Sequence, residues 1–373
     1  MDAAALPGTE HHPHARAALA AAVAGRPSHA YLFHGPAGSG KLTAARALAT
    51  ALLSEGAADP DRARARVEHG THPDLTWVVP SGAHEMLVGD IAEPVVASAA
   101  MTPFEATRRV FVLEQADTLI EQAANKLLKT LEEPAPFVCL VLMSDRLAEV
   151  LPTIRSRCQL VRFDALAPEQ LAARLERHGI EPAPAAACAR LALGDGERAR
   201  ELASGDGPAL RAGGEGLARA ALAGTVGEAR PWQELLAVRK ARGEHAVAEL
   251  DAQLERQREL VPSKERRRVE TEHAERARRT RRRVETRALD LGLQVAGLWL
   301  RDVACVAWGA PELVCHVDRA GAVAQDADGR DPQRVRAGVE LVEDTRRRLR
   351  SNVTEELALE ALAYRLEALL VRQ

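Results

Sequence analysis

Aromatic residues are scarce in this chain of 373 residues, at only 3%, and its five cysteines are scattered with no C-x-x-C pair. The scarcity of aromatic rings weighs against base stacking as a way of binding nucleic acid. The scattered cysteines argue against a disulfide framework and favour reduced thiols. Alanine is abundant instead, which favours helices over a β-sandwich.

The chain also lacks an excess of charge of either sign and any long apolar run. Its 50 Lys and Arg residues nearly balance 53 Asp and Glu, so no overall field draws it to nucleic acid or to a membrane. No apolar span reaches 18 residues, and no apolar segment follows a basic start at the N-terminus. We therefore expect a soluble, cytoplasmic protein of two or three domains.

A glycine-rich segment, HAYLFHGPAGSGKLTAARALATALL at 29–53, has the layout of strand, turn and helix that cradles phosphates. Backbone N–H groups converge on an anion in such a turn, and Lys41 at the start of the helix is placed to reach terminal phosphates. The spacing predicts a P-loop, and the alternative is a glycine-rich turn without a ligand. The predicted nucleotide-binding glycines are Gly35, Gly38 and Gly40.

The P-loop motif is incomplete at its metal-binding position. The residue after the lysine is normally Ser or Thr, whose hydroxyl binds Mg²⁺, but here it is Leu42. A hydroxyl follows one residue late at Thr43, about 100° further round the helix and so turned away from a metal. The sequence therefore leaves open whether ATP and Mg²⁺ bind at Lys41.

Apolar runs separated by helical segments follow the first run, and this alternation predicts a parallel sheet flanked by helices. Ligands of such sheets bind at the carboxyl ends of the strands, where the glycine-rich turn, Glu114 and Ser144 all fall. The predicted strands lie at 30–33, 75–79, 110–113, 137–143 and 159–163.

From Leu166 onward the pattern is helical only. We predict an α/β P-loop domain at 1–165, a small all-α lid at 166–204, a glycine-rich linker at 205–216 and an all-α domain at 217–373. A basic stretch at 264–287 contains interspersed glutamates, which favours an ion-paired helix over a DNA-binding one.

Five sequence blocks between residues 30 and 163 carry a family resemblance: HAYLFHGPAGSGK, THPDL, RRVFVLEQADTL, AANKLLKTLEEPA and IRSRC. In this order they resemble the delta-prime subunits of the bacterial DNA polymerase III clamp loader, in the AAA+ superfamily. The basic helical stretch around Arg266 to Arg283 resembles that of the actinobacterial type. The resemblance implies a RecA-like AAA+ domain, a helical lid and a helical collar. It implies gamma/tau-type and delta-type subunits as partners in a loader that places the sliding clamp on primed DNA during DNA replication. Loader stoichiometry and direct DNA contacts are not fixed by the sequence.

The resemblance assigns Arg157 in the IRSRC block as an arginine finger, acting in trans on the ATP site of a neighbouring subunit. This role requires a planar, permanently charged donor on a turn at a subunit edge. On its own the triplet favours an ordinary surface or salt-bridging arginine, and it is the surrounding family blocks that favour the finger. Arg155 is expected to be an accessory or solvated residue.

The resemblance also bears on the chain's own ATPase activity. Active relatives have Asp then Glu after the third strand, whereas this chain has Glu114 and Gln115. A glutamine cannot accept a proton, so Gln115 cannot act as general base. Together with Leu42, this predicts that the chain has lost hydrolysis of its own. The alternative is an active motor subunit of the gamma/tau type.

Further site residues follow from the same resemblance. Ser144 occupies the sensor-1 position, and Arg198 is a candidate sensor-2 residue with Arg200 as an equal rival. The family often has a four-cysteine zinc module before THPD, but no cysteine lies at 53–74, so we expect no zinc. His11, His12 and His14 are expected to form a solvated cluster.

Overall fold

The computed structural model describes residues 6–81, 85–258, 266–349 and 354–371. The chain divides into two units, one formed by Met1–Leu166 with Gly194–Glu197 and the other by Ala167–Leu193 with Arg198–Gln373. No helix in the described ranges combines the length and the apolarity needed to cross a bilayer.

The first unit contains a parallel sheet of five strands in the order β2-β3-β4-β1-β5. Strand β1, which leads into the glycine-rich turn, lies between β4 and β5. His34 at the end of β1 stands opposite Ser144 at the end of β4, so the two carboxyl ends are adjacent. The strands are β1 Ala30–His34, β2 Leu75–Val78, β3 Arg109–Leu113, β4 Val138–Ser144 and β5 Gln159–Arg162.

The two faces of the sheet bury separate apolar clusters. Because side chains alternate along a strand, Tyr31 and Phe33 lie in one cluster and Leu32 in the other. Every residue of β3 and β4 is buried, which explains the continuous apolar runs at 110–113 and 138–143 in the sequence. The helices of this unit are α1 Pro13–Val23, α2 Lys41–Ser54, α3 Pro60–Glu68, α4 Val88–Ile91, α5 Glu121–Glu132 and α6 Pro152–Arg155, with a π-helical turn at Ala92–Ala97.

The second unit is helical, and the predicted fold class is confirmed: a parallel sheet flanked by helices, followed by an all-helical part. The division of this helical part into lid and collar stays a prediction. The helices are α7 Pro168–Arg177, α8 Pro182–Leu191, α9 Gly196–Ala203 (whose first two residues cluster with the first unit), α10 Gly207–Ala223, α11 Val226–Ala229, α12 Trp232–Arg258, α13 Arg266–Ala307, α14 Ala320–Ala327, α15 Pro332–Arg348 and α16 Glu355–Val371.

The segment 205–216, predicted as a linker, is instead helical from Gly207 onward, in α10. Two of its glycines, Gly207 and Gly214, serve packing against neighbouring backbone. A β-carbon at Gly214 would lie 2.4 Å from the carbonyl oxygen of Gly292 in α13, so the absent side chain lets the two helices approach closely.

The basic stretch at 264–287 forms ion pairs where its side chains are described. Glu285, buried in α13, pairs with Arg281 one turn earlier and with Arg239 of α12, both at 2.9 Å. These arginines hold the pKa of the Glu285 carboxyl below its ordinary value, although burial opposes the shift. Lys264 and Glu265 of this stretch lie outside the described residues.

Candidate functional site

The glycine-rich turn between β1 and α2 adopts a backbone that only glycine tolerates well. Gly35, Gly38 and Gly40 have φ values of 141°, 68° and 112°, in the left-handed region. A β-carbon at Gly35 would come within 1.8 Å of the carbonyl oxygen of Phe163, the residue after β5. The three predicted glycines therefore form a P-loop-like turn whose shape depends on them.

Lys41 at the start of α2 is 7% exposed and bonded to oxygens of its own chain. Its ammonium donates to the carbonyl oxygens of Gly35 at 2.5 Å and Pro36 at 2.6 Å. It also forms an ion pair with Asp145 at 2.8 Å. An ammonium has three N–H donors, and these three oxygens occupy them. The role of Lys41 in binding phosphate stays a prediction.

Asp145 is a residue of this site that the sequence motifs do not identify. It follows β4 directly, and the parallel pairing of β4 with β1 brings it beside the glycine-rich turn. The signal available in the sequence was its place immediately after a buried strand, at the edge of the sheet where ligands bind.

The turn is covered on one side by the backbone of residues 196–197 of the same unit. A β-carbon at Gly38 would lie 2.0 Å from the amide nitrogen of Glu197 and 2.7 Å from the α-carbon of Gly196. The backbone at 196–197 is thus packed closely against Gly38.

His12 holds the turn from another side, which corrects the expectation of a solvated histidine cluster at this position. The side chain is buried. The amide of Asp164 donates to Nδ1 at 3.2 Å, and Nε2 lies 2.6 Å from the carbonyl oxygen of Ser39. Because Nδ1 accepts, Nε2 carries a proton and donates to the carbonyl of Ser39.

The two residues after the lysine are exposed on α2. Leu42, at the position where the motif has a metal-binding hydroxyl, is 45% exposed. Thr43 is also exposed. The position that binds Mg²⁺ in the motif is therefore occupied by an apolar side chain, and the next hydroxyl along the helix is that of Thr43.

The acidic end of β3 faces a neighbouring strand. Glu114 accepts a hydrogen bond from the indole Nε1 of Trp77 in β2, at 2.7 Å. Trp77 stands opposite Val112, and Glu114 lies two residues further on the same face. Gln115 is exposed and has a left-handed φ of 52°. One oxygen of the Glu114 carboxylate is thus bonded to an indole.

Ser144 lies where the sensor-1 residue was predicted, at the end of β4. It is buried, and its hydroxyl accepts from the amide of Arg146 at 3.0 Å. Its carbonyl accepts from the amide of Gly35 at 3.2 Å, which ties β4 to the start of the glycine-rich turn. The hydroxyl therefore stabilises the turn that follows β4, and its contact with nucleotide stays a prediction.

Arg157 lies between α6 and β5, and its side chain is 35% exposed. Its Nη2 forms an ion pair with Glu132 at 2.6 Å. Its Nη1 donates to the carbonyl of Thr153 at 3.0 Å and to the hydroxyl of Ser156 at 3.2 Å. The guanidinium is therefore held in a defined orientation at the surface of the described chain.

The two sensor-2 candidates on α9 differ in their surroundings. Arg198 donates to the carbonyl of Ala192 at 3.4 Å and lines a cavity of about 350 Å³ with Gln294 and Arg346. Arg200 is exposed. Both belong to the second unit, and the choice between them stays open.

Comparison with known proteins bears on the first half of the chain. Residues 12–167 match the family model described as "DNA polymerase III, delta subunit". The chain is 37% identical over 161 residues to DNA polymerase III subunit delta' of Bacillus subtilis, covering 42% of this chain and 48% of that one. It is 38% identical over 136 residues to the subunit delta' of Pseudomonas aeruginosa, covering 35% and 42%. The resemblance to DNA polymerase III delta-prime subunits is thereby confirmed.

The chain spans about half the length of these delta-prime relatives. Among solved structures, a gamma subunit-related protein of Thermotoga maritima DNA polymerase III is 14% identical, with a TM-score of 0.43, over 95% of this chain and 99% of that one.

Proposed function

We propose that this chain is a delta-prime-like subunit of a replicative clamp loader that does not hydrolyse ATP itself. It supplies Arg157 to the ATP site of a neighbouring subunit and so helps to load the sliding clamp on primed DNA. The proposed partners are gamma/tau-type and delta-type subunits, and the proposed location is the cytoplasm. The similarity of residues 12–167 to delta-prime subunits carries this proposal.

The chain's own P-loop does not fit ATP and Mg²⁺ in the arrangement described. Binding of phosphate would require Lys41 to leave two carbonyls and Asp145. Leu42 offers no metal ligand, so the site lacks the metal-binding hydroxyl on which a working P-loop depends.

Arg157 has the properties of a donor to a phosphate outside its own chain. The guanidinium is planar and charged at any physiological pH, and it forms paired hydrogen bonds with phosphate oxygens. Placed at a γ-phosphate, it would stabilise the charge that develops on the transferring group. Its partial exposure leaves it accessible to another subunit.

The alternative, an active motor subunit of the gamma/tau type, is favoured by the intact glycines and by Lys41. It requires a general base, and Gln115 cannot accept a proton. It also requires Lys41 to be available, whereas the ammonium is occupied by its own chain. We therefore prefer the non-hydrolysing role.

A reconstituted loader tests the role of Arg157. With Arg157→Ala, hydrolysis at one interface should fall by about 10³–10⁵-fold, the usual contribution of an arginine finger. Clamp loading should fall further than total ATPase, because the other interfaces keep hydrolysing. Arg157→Lys should rescue little, since an ammonium cannot reproduce the planar fork. Arg155→Ala is the matched control, two residues away, and should behave like wild type.

The stability of the isolated subunit should change little, because a partly exposed ion pair contributes at most about 1 kcal/mol. If the Arg157→Ala subunit assembles normally and the loader then loads clamps at the wild-type rate, Arg157 is a surface arginine and the proposal is wrong.

A further inference from the structure

A carboxylate lies beside Arg157 at a helix position that disfavours it. Glu132 is the last residue of α5. The last turn of a helix exposes carbonyl oxygens and carries the negative end of the helix dipole, so an acidic side chain is destabilising there. The guanidinium of Arg157, 2.6 Å away, offsets this repulsion. At this position the negative charge of Glu132 stabilises the protein only when a cation such as Arg157 lies beside it.

The contacts of Arg157 fix the plane of its guanidinium. Nη1 is bonded to the carbonyl of Thr153 in α6, while Nη2 is paired with Glu132 at the end of α5. Two anchors on neighbouring nitrogens define both the position and the tilt of a planar group. Nε has no hydrogen-bond partner among the residues described, so that edge of the guanidinium remains available to an outside acceptor.

Stability alone gives little reason for this pair. Ion pairs between partly exposed side chains contribute little to folding, because water screens them and two long side chains lose freedom. A restrained arginine, however, loses less conformational freedom when it meets a phosphate than a mobile one does. Orientation of a reacting or stabilising group also has a large effect on rate.

We propose that Glu132 is a positioning residue for Arg157: its carboxylate holds the guanidinium in the orientation in which the free edge faces the phosphate of the neighbouring subunit. This inference rests on the proposed role of Arg157 as an arginine finger. Glu132 touches no reacting atom and acts only through the arginine.

The test measures kcat and KM for clamp loading by a reconstituted loader carrying Glu132→Gln or Glu132→Ala. We expect kcat to fall by up to about 10²-fold, the effect of misplacing a group by about 1 Å. KM for ATP should be unchanged, because the finger acts in the transition state and not in ground-state binding. Glu133→Gln is the matched control: Glu133 is exposed, adjacent and of the same charge, and this variant should retain wild-type kinetics.

A double-mutant cycle separates this inference from the proposed function. In an Arg157→Ala background, Glu132→Gln should have no further effect, because the group that it positions is gone. If Arg157→Ala alone leaves loading unchanged, the finger role fails, and the inference falls with it.

If Arg157→Ala abolishes loading but Glu132→Gln keeps the wild-type kcat, the finger role stands and the positioning role is wrong. An increase in kcat would also overturn the inference, because it would mean that Glu132 restrains the arginine away from its target. An equal fall in both backgrounds would show that Glu132 acts by another route.

Discussion

Lys41 should stabilise the folded protein through its contacts with the glycine-rich turn, and its removal should lower the free energy of unfolding. In a working P-loop the lysine contributes mainly to phosphate binding, so an alanine there affects nucleotide affinity more than folding. Here the ammonium of Lys41 joins the carbonyls of Gly35 and Pro36 to the carboxylate of Asp145. Lys41→Ala would leave all three oxygens without this partner.

The size of the effect follows from these contacts. A hydrogen bond from a charged donor contributes about 1.5–3 kcal/mol. Gly35 and Pro36 are half-buried, so water replaces part of what their carbonyls lose. The pair with Asp145, whose side chain is 45% exposed, adds at most about 1 kcal/mol. We therefore expect Lys41→Ala to lower the free energy of unfolding by about 2–4 kcal/mol, from these contacts together.

The measurement is chemical and thermal unfolding of the full chain, with hydrogen exchange of the glycine-rich turn as a local readout. In a unit of about 170 residues the expected loss corresponds to a fall in Tm of about 5–15 °C. Lys126→Ala, at an exposed position of α5, is the control and should shift Tm by less than about 2 °C. Asp145→Asn should cost less than Lys41→Ala, since it removes only the ion pair.

Added ATP and Mg²⁺ complete the test. A ligand that binds only the folded state raises Tm, and a site whose lysine is already occupied should show no such rise. The reasoning is refuted if wild-type protein gains several degrees with ATP and the Lys41→Ala protein keeps the same Tm as wild type without it.

Two further predictions concern buried polar groups of the first unit. Asp74 is 1% exposed, accepts three backbone N–H bonds from residues 104–106, and lies 3.9 Å from the buried Arg109. Asp74→Ala should therefore lower the free energy of unfolding in urea by about 3–5 kcal/mol. A loss below about 1 kcal/mol would contradict this structural role. Burial, reinforced by nearby cations, lowers the pKa of His34 below its ordinary 6.5. The unfolded chain then binds the proton more readily, so stability is lost as pH falls below about 6.5. His34→Asn should flatten this loss between pH 7.5 and 5.5 in unfolding titrations, whereas the exposed His178→Asn should not.

The strands could be predicted because their burial leaves a direct trace in the sequence. A strand such as β3 is covered on both faces, so all its residues are apolar or packed, and the run stands out. The ends of the strands are harder to predict, since an apolar run in the sequence does not mark where the pairing between strands stops. Val79 was included in the second predicted strand, but β2 ends at Val78 and Val79 is 45% exposed.

The contacts of the site left no comparable trace. His12 meets Asp164 across 152 residues of chain, and Lys41 meets Asp145 only because β1 and β4 pair. Composition also cannot tell flexible glycines from packed ones. The segment at 205–216 has the glycine content of a linker, yet a side chain at Gly214 would clash with the backbone of α13.

The same distinction applies to the glycine-rich turn and changes what its motif implies. A β-carbon at Gly40 would meet the carbonyl oxygen of Gly8 at 2.4 Å, and one at Gly35 would meet that of Phe163 at 1.8 Å. Both glycines, like Lys41, are therefore required by contacts within the protein, whether or not a phosphate is bound. Retention of the glycines and the lysine is consequently weak support for nucleotide binding in this chain. The positions that serve only metal binding and proton transfer are more informative, and those are Leu42 and Gln115.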